Sequence, residues 1–482
     1  MAILPSAAEL VARFLRANGY YETLASFVKE ARLSADAGAT SSSAVTIEQI
    51  LQEKETFDMS LRFEKLGIED QTHAWKNPAP SIPLILDTLP TKSNILSVHF
   101  LDLILPTSAE PRRCIVTTTA DRRLNLIDPD SPSFTLLRSY SSLQDSPILD
   151  IFVLKSRYLL AGSMSGKLVL FDTATEQVRD ERKDHTKYLV KITGWPKLES
   201  SIVASAGWDS RIVVYRTRNN NDGHLQLGNL LATVTVQTIP ETILFIQSPD
   251  TDSPLLLATR RDSTFLYYYE VPSHASGNFE MLLRGKQNLA PQSNAWVSFA
   301  PSDVQICPSD PSVVAVATSS TPHLKLLVVR LLVPPRSTSV TNSGTSSNMR
   351  TSILDTQDMT SSTLASQTGA ELLHQDREEA AIKLNITTMS PQTAYSTPKL
   401  AWRPDGSGIY VNSDDGIVRG FEVSTGKPVA SLEAGHEPGS KVRCLVTGIR
   451  GGVLRDDIEP KATYEFLLSG GFDQRLIFWS AI

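Results

Sequence analysis

Two stretches of the chain, ASAGWDSRIVVYR (Ala204–Arg216) and LSGGFDQRLIFWS (Leu468–Ser480), decide the fold. Each runs from an apolar strand through a polar turn holding Asp into an alternating strand that ends in an aromatic and a polar residue. The pattern returns in AGSMSGKLVLFD (Ala161–Asp172), TTTADRRLNLID (Thr117–Asp128), NSDDGIVRGFE (Asn412–Glu422) and ATRRDSTFLYYYE (Ala258–Glu270). A degraded copy is AVATSSTPHLKLLVVR (Ala315–Arg330). In six copies the turn residue stands six positions before the near-terminal aromatic or aliphatic residue. A tight hairpin with one face turned inward requires such a fixed offset.

The copies end at Asp128, Asp172, Arg216, Glu270, Arg330, Glu422 and Ser480, and the first ends are 44 residues apart. That is the length of a four-stranded propeller blade. The expected architecture is an all-β propeller of seven four-stranded blades over residues 83–482, with a small N-terminal α-helical dimerisation domain. The chain stops just after the third strand of the seventh blade. PLILDTLP (Pro83–Pro90) is expected to supply the fourth, which closes the ring and limits exposed edges.

These copies resemble the WD-repeat family over roughly residues 83–482. Only Trp479 occupies the signature Trp position; Tyr215, Phe171, Phe421 and Tyr268 replace it elsewhere. The resemblance implies a structural polar tetrad in blade 3 (His185, Ser205, Asp209, Tyr215) and in blade 7 (His436, Ser469, Asp473, Trp479). The same residue types make hydrolase triads. Here the set recurs twice with an aromatic donor, which points to strand-tying hydrogen bonds rather than to a single catalytic site.

At the N-terminus, Ser6 and Glu9 form a capping box. Leu10, Val11, Phe14 and Leu15 then recur at helical spacing, Gly19 ends the helix, and Tyr20, Leu24, Phe27, Val28 and Ala31 make a second stripe. Two short helices cannot bury both stripes alone, so they should pack against another copy of themselves. ELVARFLRANGYYETLASFVKEARL (Glu9–Leu33) resembles the LisH motif, in Leu10–Val11, Phe14–Leu15, Gly19–Tyr20, Glu22–Thr23 and Leu33. The resemblance implies a homodimer built as a four-helix bundle. The expected division is a LisH motif at 1–38 and a linker at 39–82. That linker carries one helix, from about Ile47 to Leu66, opened by Thr46 and Gln49 and stopped by Gly67.

Blade 5 carries an insertion. The ends of successive copies jump by 92 residues between Arg330 and Glu422. Residues 334–380, and Ser337–Thr368 above all, are dominated by Ser and Thr and are expected to be disordered. Ile382–Met389 reads as the fourth strand of that blade. Ser390–Pro391 and Thr397–Pro398 have the form of proline-directed phosphosites, although with motifs this short unmodified loop residues are the favoured reading.

Composition narrows function. Of the 482 residues 41% are hydrophobic and 20% charged, enough apolar mass for a large core. The net charge of −6 supplies no global basic field for nucleic acid or anionic lipid. Cys114, Cys307 and Cys444 lie too far apart for a disulfide framework or a zinc site. MAILPSAAELVARFL lacks a basic leader region, and Leu324–Val333 is too short to span a bilayer. The protein is therefore expected in the cytoplasm or nucleus, not secreted, and without a membrane or direct nucleic-acid partner.

No Gly-rich phosphate loop, metal-ligand cluster or nucleophile elbow appears, so no enzyme, metal or cofactor is expected. The favoured reading is a non-catalytic homodimeric scaffold presenting propellers to other proteins of a multi-subunit complex. The alternative is a subunit of a ubiquitin ligase. WDSR (Trp208–Arg211) is similar to the Trp-Asp-x-Arg signature of cullin-ligase receptors, but it lies in a turn, and the signature position reads YRTR (Tyr215–Arg218). Partner binding is expected at hairpin tips on the top face, through Arg122, Trp208, Arg261 and Phe472, unless the two aromatics lie flat on neighbouring blades.

Overall fold

The computed structural model describes residues 7–34, 36–39, 47, 74–106, 108–197, 200–220, 222–272, 280–291, 299–335, 374–451 and 463–481. The chain divides into two compact units, Met1–Ile68 and Glu69–Ile482.

In the first unit, α1 (Ala7–Ala17) and α2 (Tyr21–Glu30) form a helical hairpin. Gly19 turns the chain at φ +76°, and the Tyr20 N–H closes on the Leu15 carbonyl at 2.9 Å. This left-handed C-terminal stop is the one glycine permits. Ala12 is fully buried and Leu24 is 6% exposed. Ser6, the expected capping residue, and the expected helix beyond Ile47 lie outside the described residues.

The second unit is a ring of seven antiparallel four-stranded sheets. Their innermost strands are, in blade order, Ile95–Leu103, Ile148–Leu154, Leu189–Trp195, Pro240–Gln247, Pro301–Ile306, Leu400–Trp402 and Val442–Gly451. Blades 1 to 6 each use four consecutive strands. Blade 7 takes Val442–Gly451, Thr463–Gly471 and Leu476–Ser480 and adds Ile82–Ile85 as its outer strand, with Ile82 opposite Ser480 and Ile85 opposite Ile477. This strand is shorter than Pro83–Pro90 and begins one residue earlier.

Buried apolar side chains of the described residues fall into seven clusters, one at each blade–blade boundary. The cluster of Ile95, Ile115, Leu468 and Phe478 seals blade 7 against blade 1. Full burial of each such side chain is worth roughly 1.5–3 kcal/mol, so closing the ring is favoured at every boundary, including the last.

Two expected boundaries move. Contacts to the propeller begin before residue 82. The Trp75 N–H donates to Glu422 Oε1 at 2.9 Å, and the Trp75 ring lies 4.3 Å from the guanidinium of the fully buried Arg403. Arg403 in turn binds Glu465 through Nε at 2.8 Å and through Nη2. The segment expected to be linker thus packs on blade 6, because a buried cation and an indole face attract.

The insertion joins the third strand of blade 5 (His323–Arg330) to the fourth (Ile382–Pro391). Ser337–Thr368 lies outside the described residues. Residues 374–381 are helical, which corrects the expected disorder up to 380. Glu378, 3% exposed, accepts the backbone N–H of Asn288 at 2.6 Å, and Ala380 and Ala381 are buried. A satisfied backbone donor and two buried methyls hold this end in place.

Ser390 lies in a strand rather than in a loop. It is fully buried in the fourth strand of blade 5, out of reach of a kinase in the folded ring. Thr397 Oγ1 accepts from Arg443 Nη1 at 2.8 Å.

Candidate functional site

The two tetrads brace the hairpins that form one face of the ring. In blade 7, His436 Nδ1 lies 2.9 Å from Asp473 Oδ2, and Nε2 lies 2.8 Å from Ser469 Oγ. Trp479 Nε1 donates to the same Ser469 Oγ at 2.7 Å. When Nδ1 carries the ring proton it donates to the carboxylate, so the Ser469 hydroxyl donates to Nε2. Blade 3 repeats the first three members: His185 Nδ1 to Asp209 Oδ1 at 3.0 Å and Nε2 to Ser205 Oγ at 2.9 Å. Its aromatic, Tyr215, interacts with the Ser205 side chain and reaches a further acceptor as well. The longer Tyr215 donates its hydroxyl to Asp184 Oδ2 at 2.8 Å.

Each turn acid also accepts backbone donors. Asp473 Oδ2 takes the Glu437 N–H at 3.0 Å, and Asp209 Oδ2 takes the Thr186 N–H at 2.9 Å. Burial pushes both carboxyls up, but the hydrogen bonds from histidine and backbone outweigh it, and both titrate below the ordinary value. Gly471 and Gly207 stand beside these pairs. A Cβ at either would come within 2.6 Å of the aspartate Oδ1. Ser205 and Ser469 are fully buried, so no substrate reaches either hydroxyl.

The aromatic of each Gly-aromatic-Asp turn points outward. Trp208 is 37% exposed and Phe472 42%. Trp208 packs on Tyr188 at 5.1 Å between ring centroids, and the Arg261 guanidinium lies 5.6 Å from the Trp208 ring. Arg261 Nε donates to Glu241 Oε1 at 2.7 Å. Trp208 and Arg261 therefore come together across blades 3 and 4, with the indole partly packed and partly open. Phe472 meets Arg443 instead, at 5.9 Å. Arg122 is exposed and donates to the Asp145 carbonyl at 3.4 Å. Within WDSR, Asp209 is held by His185, and Arg211 Nη1 donates to the Asp184 carbonyl at 3.1 Å.

A cavity of about 1010 Å³ opens at the mouth of the central channel, lined by Trp208 and Arg261 among others. Phe472 and Arg122 do not line it. Its walls carry charged residues that strand periodicity did not single out. Asp150 of blade 2 pairs with Lys191 of blade 3 at 3.5 Å and accepts the Ile192 N–H at 2.7 Å. Asp303 of blade 5 repeats this toward blade 6, with Lys399 at 3.0 Å and the Leu400 N–H at 3.1 Å. A carboxylate inside an otherwise apolar strand, as in ILDIFV (Ile148–Val153), was the available signal. His99 also faces the cavity; burial pushes its pKa down to about 4, Lys191 and Lys399 add to the shift, and Asp150 opposes it.

The dimer candidates divide by exposure. Val11, Phe14 and Tyr20 are exposed, Leu10, Leu15, Phe27 and Val28 are half-buried, and Leu24 is already buried within the single chain. Tyr21, at 67% exposed, joins the exposed set. Among the described residues no helix is long and apolar enough to cross a membrane.

Residues 102–451 match the family described as UCP007778, beta-propeller domain, and residues 8–35 match UCP007778, LisH domain. A comparison with curated proteins gave no match. Among solved structures, the crystal structure of Saccharomyces cerevisiae Sqt1 is similar at 11% identity and a TM-score of 0.50, covering 82% of this chain and 99% of that one. At that identity the likeness speaks for the propeller fold alone.

Proposed function

The chain belongs to the UCP007778 family of LisH and β-propeller proteins, and from that premise we propose that it is a non-catalytic homodimeric scaffold, paired through its helical hairpin and holding protein partners on the tetrad-braced propeller face. A LisH motif with a propeller fits protein interaction. The observation that carries the reading is the exposed apolar set on the hairpin: Val11, Phe14, Tyr20 and Tyr21. Such side chains gain little in a single chain and much against a second copy. Two propellers on one particle raise avidity for a repeated partner without new contacts.

The partner face is assigned to the tips that carry Trp208, Arg261, Arg122 and Phe472, since half-exposed Trp and Arg lead interface hot spots. The test has two readings on one preparation. Light scattering should report a dimer at micromolar concentration. Proteins captured from a native extract by the wild type should fall away with Trp208→Ala plus Phe472→Ala, while the melting temperature moves by only a few degrees. A monomeric wild type removes the pairing. Unchanged capture by the double variant removes this face as the partner site.

A further inference from the structure

The channel-mouth cavity has an uneven charge. Six basic side chains line it: Lys191, Arg260, Arg261, Lys286, Lys399 and Arg443. Four acids face them: Asp150, Glu241, Asp262 and Asp303. Three of those acids are engaged, Asp150 by Lys191, Asp303 by Lys399 and Glu241 by Arg261. Arg260, Lys286 and Arg443 are left without a carboxylate among the described residues, against Asp262 alone. In a chain of net charge −6, this mouth is a local positive site.

The three cations are also held in place. Arg260 donates through Nε to the Tyr267 hydroxyl at 3.0 Å, through Nη1 to Thr238 Oγ1 at 3.1 Å and through Nη2 to Gln237 Oε1 at 3.0 Å, all neutral acceptors. Lys286 lies 4.6 Å from the Phe265 ring centroid. Arg443 is half-buried between Thr397 and the Phe472 ring, and loss of water lowers its pKa, although an arginine stays charged at neutral pH. A positioned cation gains from an incoming carboxylate, and the poorly hydrated Arg443 gains most.

We propose that the channel mouth binds an acidic peptide segment of a protein partner, with carboxylates placed on Lys286 and Arg260 at blade 4 and on Arg443 at blade 7. The inference rests on the top-face reading above and names the chemistry of its partner. A cavity of about 1010 Å³ lies at the upper end of the roughly 300–1,000 Å³ usual for small-molecule pockets, which suits a peptide segment better than a single ion. Single-stranded nucleic acid fits less well. It needs open aromatic faces for base stacking, and here Tyr188 and Arg261 pack on Trp208 while Lys286 lies over Phe265.

The test uses the full chain and fluorescence anisotropy of a fluorescein-labelled (Glu-Ser)6 peptide, with (Gln-Ser)6 as the uncharged control. The wild type should bind the acidic peptide, and the affinity should fall several-fold between about 50 and about 300 mM salt, as screening requires. Lys286→Ala alone, at an exposed position, should weaken binding by about threefold to tenfold. Adding Arg443→Ala should abolish it, and Lys286→Arg with Arg443→Lys should largely restore it.

Equal binding of the two peptides overturns the proposal, as does indifference to Lys286→Ala. Tighter binding of an oligouridine that displaces the peptide reassigns the mouth to nucleic acid. Light scattering and extract capture on the same samples separate the two readings. A dimer that captures partners through Trp208 and Phe472 yet ignores (Glu-Ser)6 sinks this inference and leaves the scaffold standing; a monomer that binds the peptide does the reverse.

Discussion

In the propeller, Trp479, Tyr215, Tyr268 and Tyr410 are at most 1% exposed, whereas in the helical hairpin Phe14 is 36% and Tyr21 67% exposed. Both regions are built from amphipathic elements. The ring has a neighbour for every blade, and its last boundary is closed by a strand from the other end of the chain. Among the described residues the hairpin is two short helices with a core centred on Ala12 and Leu24, and Gly38 packs on the Ala12 backbone. A buried side chain in the ring therefore acts mainly on folding, and one on the hairpin's open stripe acts mainly on assembly. Substitutions in the two regions should separate these effects.

The largest expected effect is at Arg403, which is fully buried and bound to Glu465, Ser407 Oγ at 3.0 Å and the Asn77 carbonyl at 3.3 Å. Arg403→Met keeps much of the volume but strips Glu465 of its cation. Removing one partner of a buried pair costs about 3–5 kcal/mol. Urea unfolding followed by tryptophan fluorescence should show that loss with no change in oligomeric state. A loss under about 1 kcal/mol would mean that blade 6 does not depend on this pair.

Next comes the blade 7 tetrad. Asp473→Asn should cost about 2–3 kcal/mol, since a charge-assisted bond and its buried histidine partner are lost together. Asp473 titrates below the ordinary carboxylate range in the folded chain. Its stabilisation is thus complete above the unfolded value, roughly pH 4, and is lost as pH falls through the lower folded value. The wild type should lose stability progressively in acid, and the variant should lose less over the same range. Identical acid profiles would assign the acid sensitivity to other carboxylates, such as the fully buried Asp172 between Arg157 and Arg179.

What could be read from sequence follows from this same division. Blade count, hairpin turns and the His–Ser–Asp sets were legible because they repeat at a fixed offset: Asp209 to Tyr215 and Asp473 to Trp479. Trp75 on Arg403 was not, because it joins positions 328 residues apart that occur once. Glu378 was missed for a related reason. Its partner is a backbone N–H of another blade, a contact that leaves no signal in HQDREEAA (His374–Ala381), which itself holds no Ser or Thr. The Asp150 and Asp303 clamps fall between these cases. They repeat, but on inner strands, away from the turns and terminal aromatics that mark each blade.

On the hairpin the effect should move from folding to assembly. Phe14→Asp with Leu15→Asp places charges where a second copy would bury them, which costs several kcal/mol of association. The particle mass by light scattering should halve, while the propeller's unfolding midpoint shifts by no more than about 2 °C, because the two compact units have separate cores. A dimer that survives the change would place the contact elsewhere and weaken the contrast between the regions.

The smallest effect tests whether a segment within the propeller sequence can matter as little to folding as the hairpin's open stripe. Deleting 337–368 shortens the connection between two paired strands of blade 5, where Val329 stands opposite Ile382. The two strands that the connection links are already paired, and each halving of a loop changes its closure free energy by only about 0.6 kcal/mol. The melting temperature should stay within a few degrees of wild type, with any shift upward. The retained helix supplies the contrast. Glu378→Ala would leave the Asn288 N–H without its acceptor and should cost about 1–3 kcal/mol, more than removing the Ser/Thr stretch altogether. If the deletion instead lowers the midpoint by more than about 5 °C, the Ser/Thr stretch contributes to the propeller's stability, and blade 5 is completed by more of the insertion than the helix at 374–381.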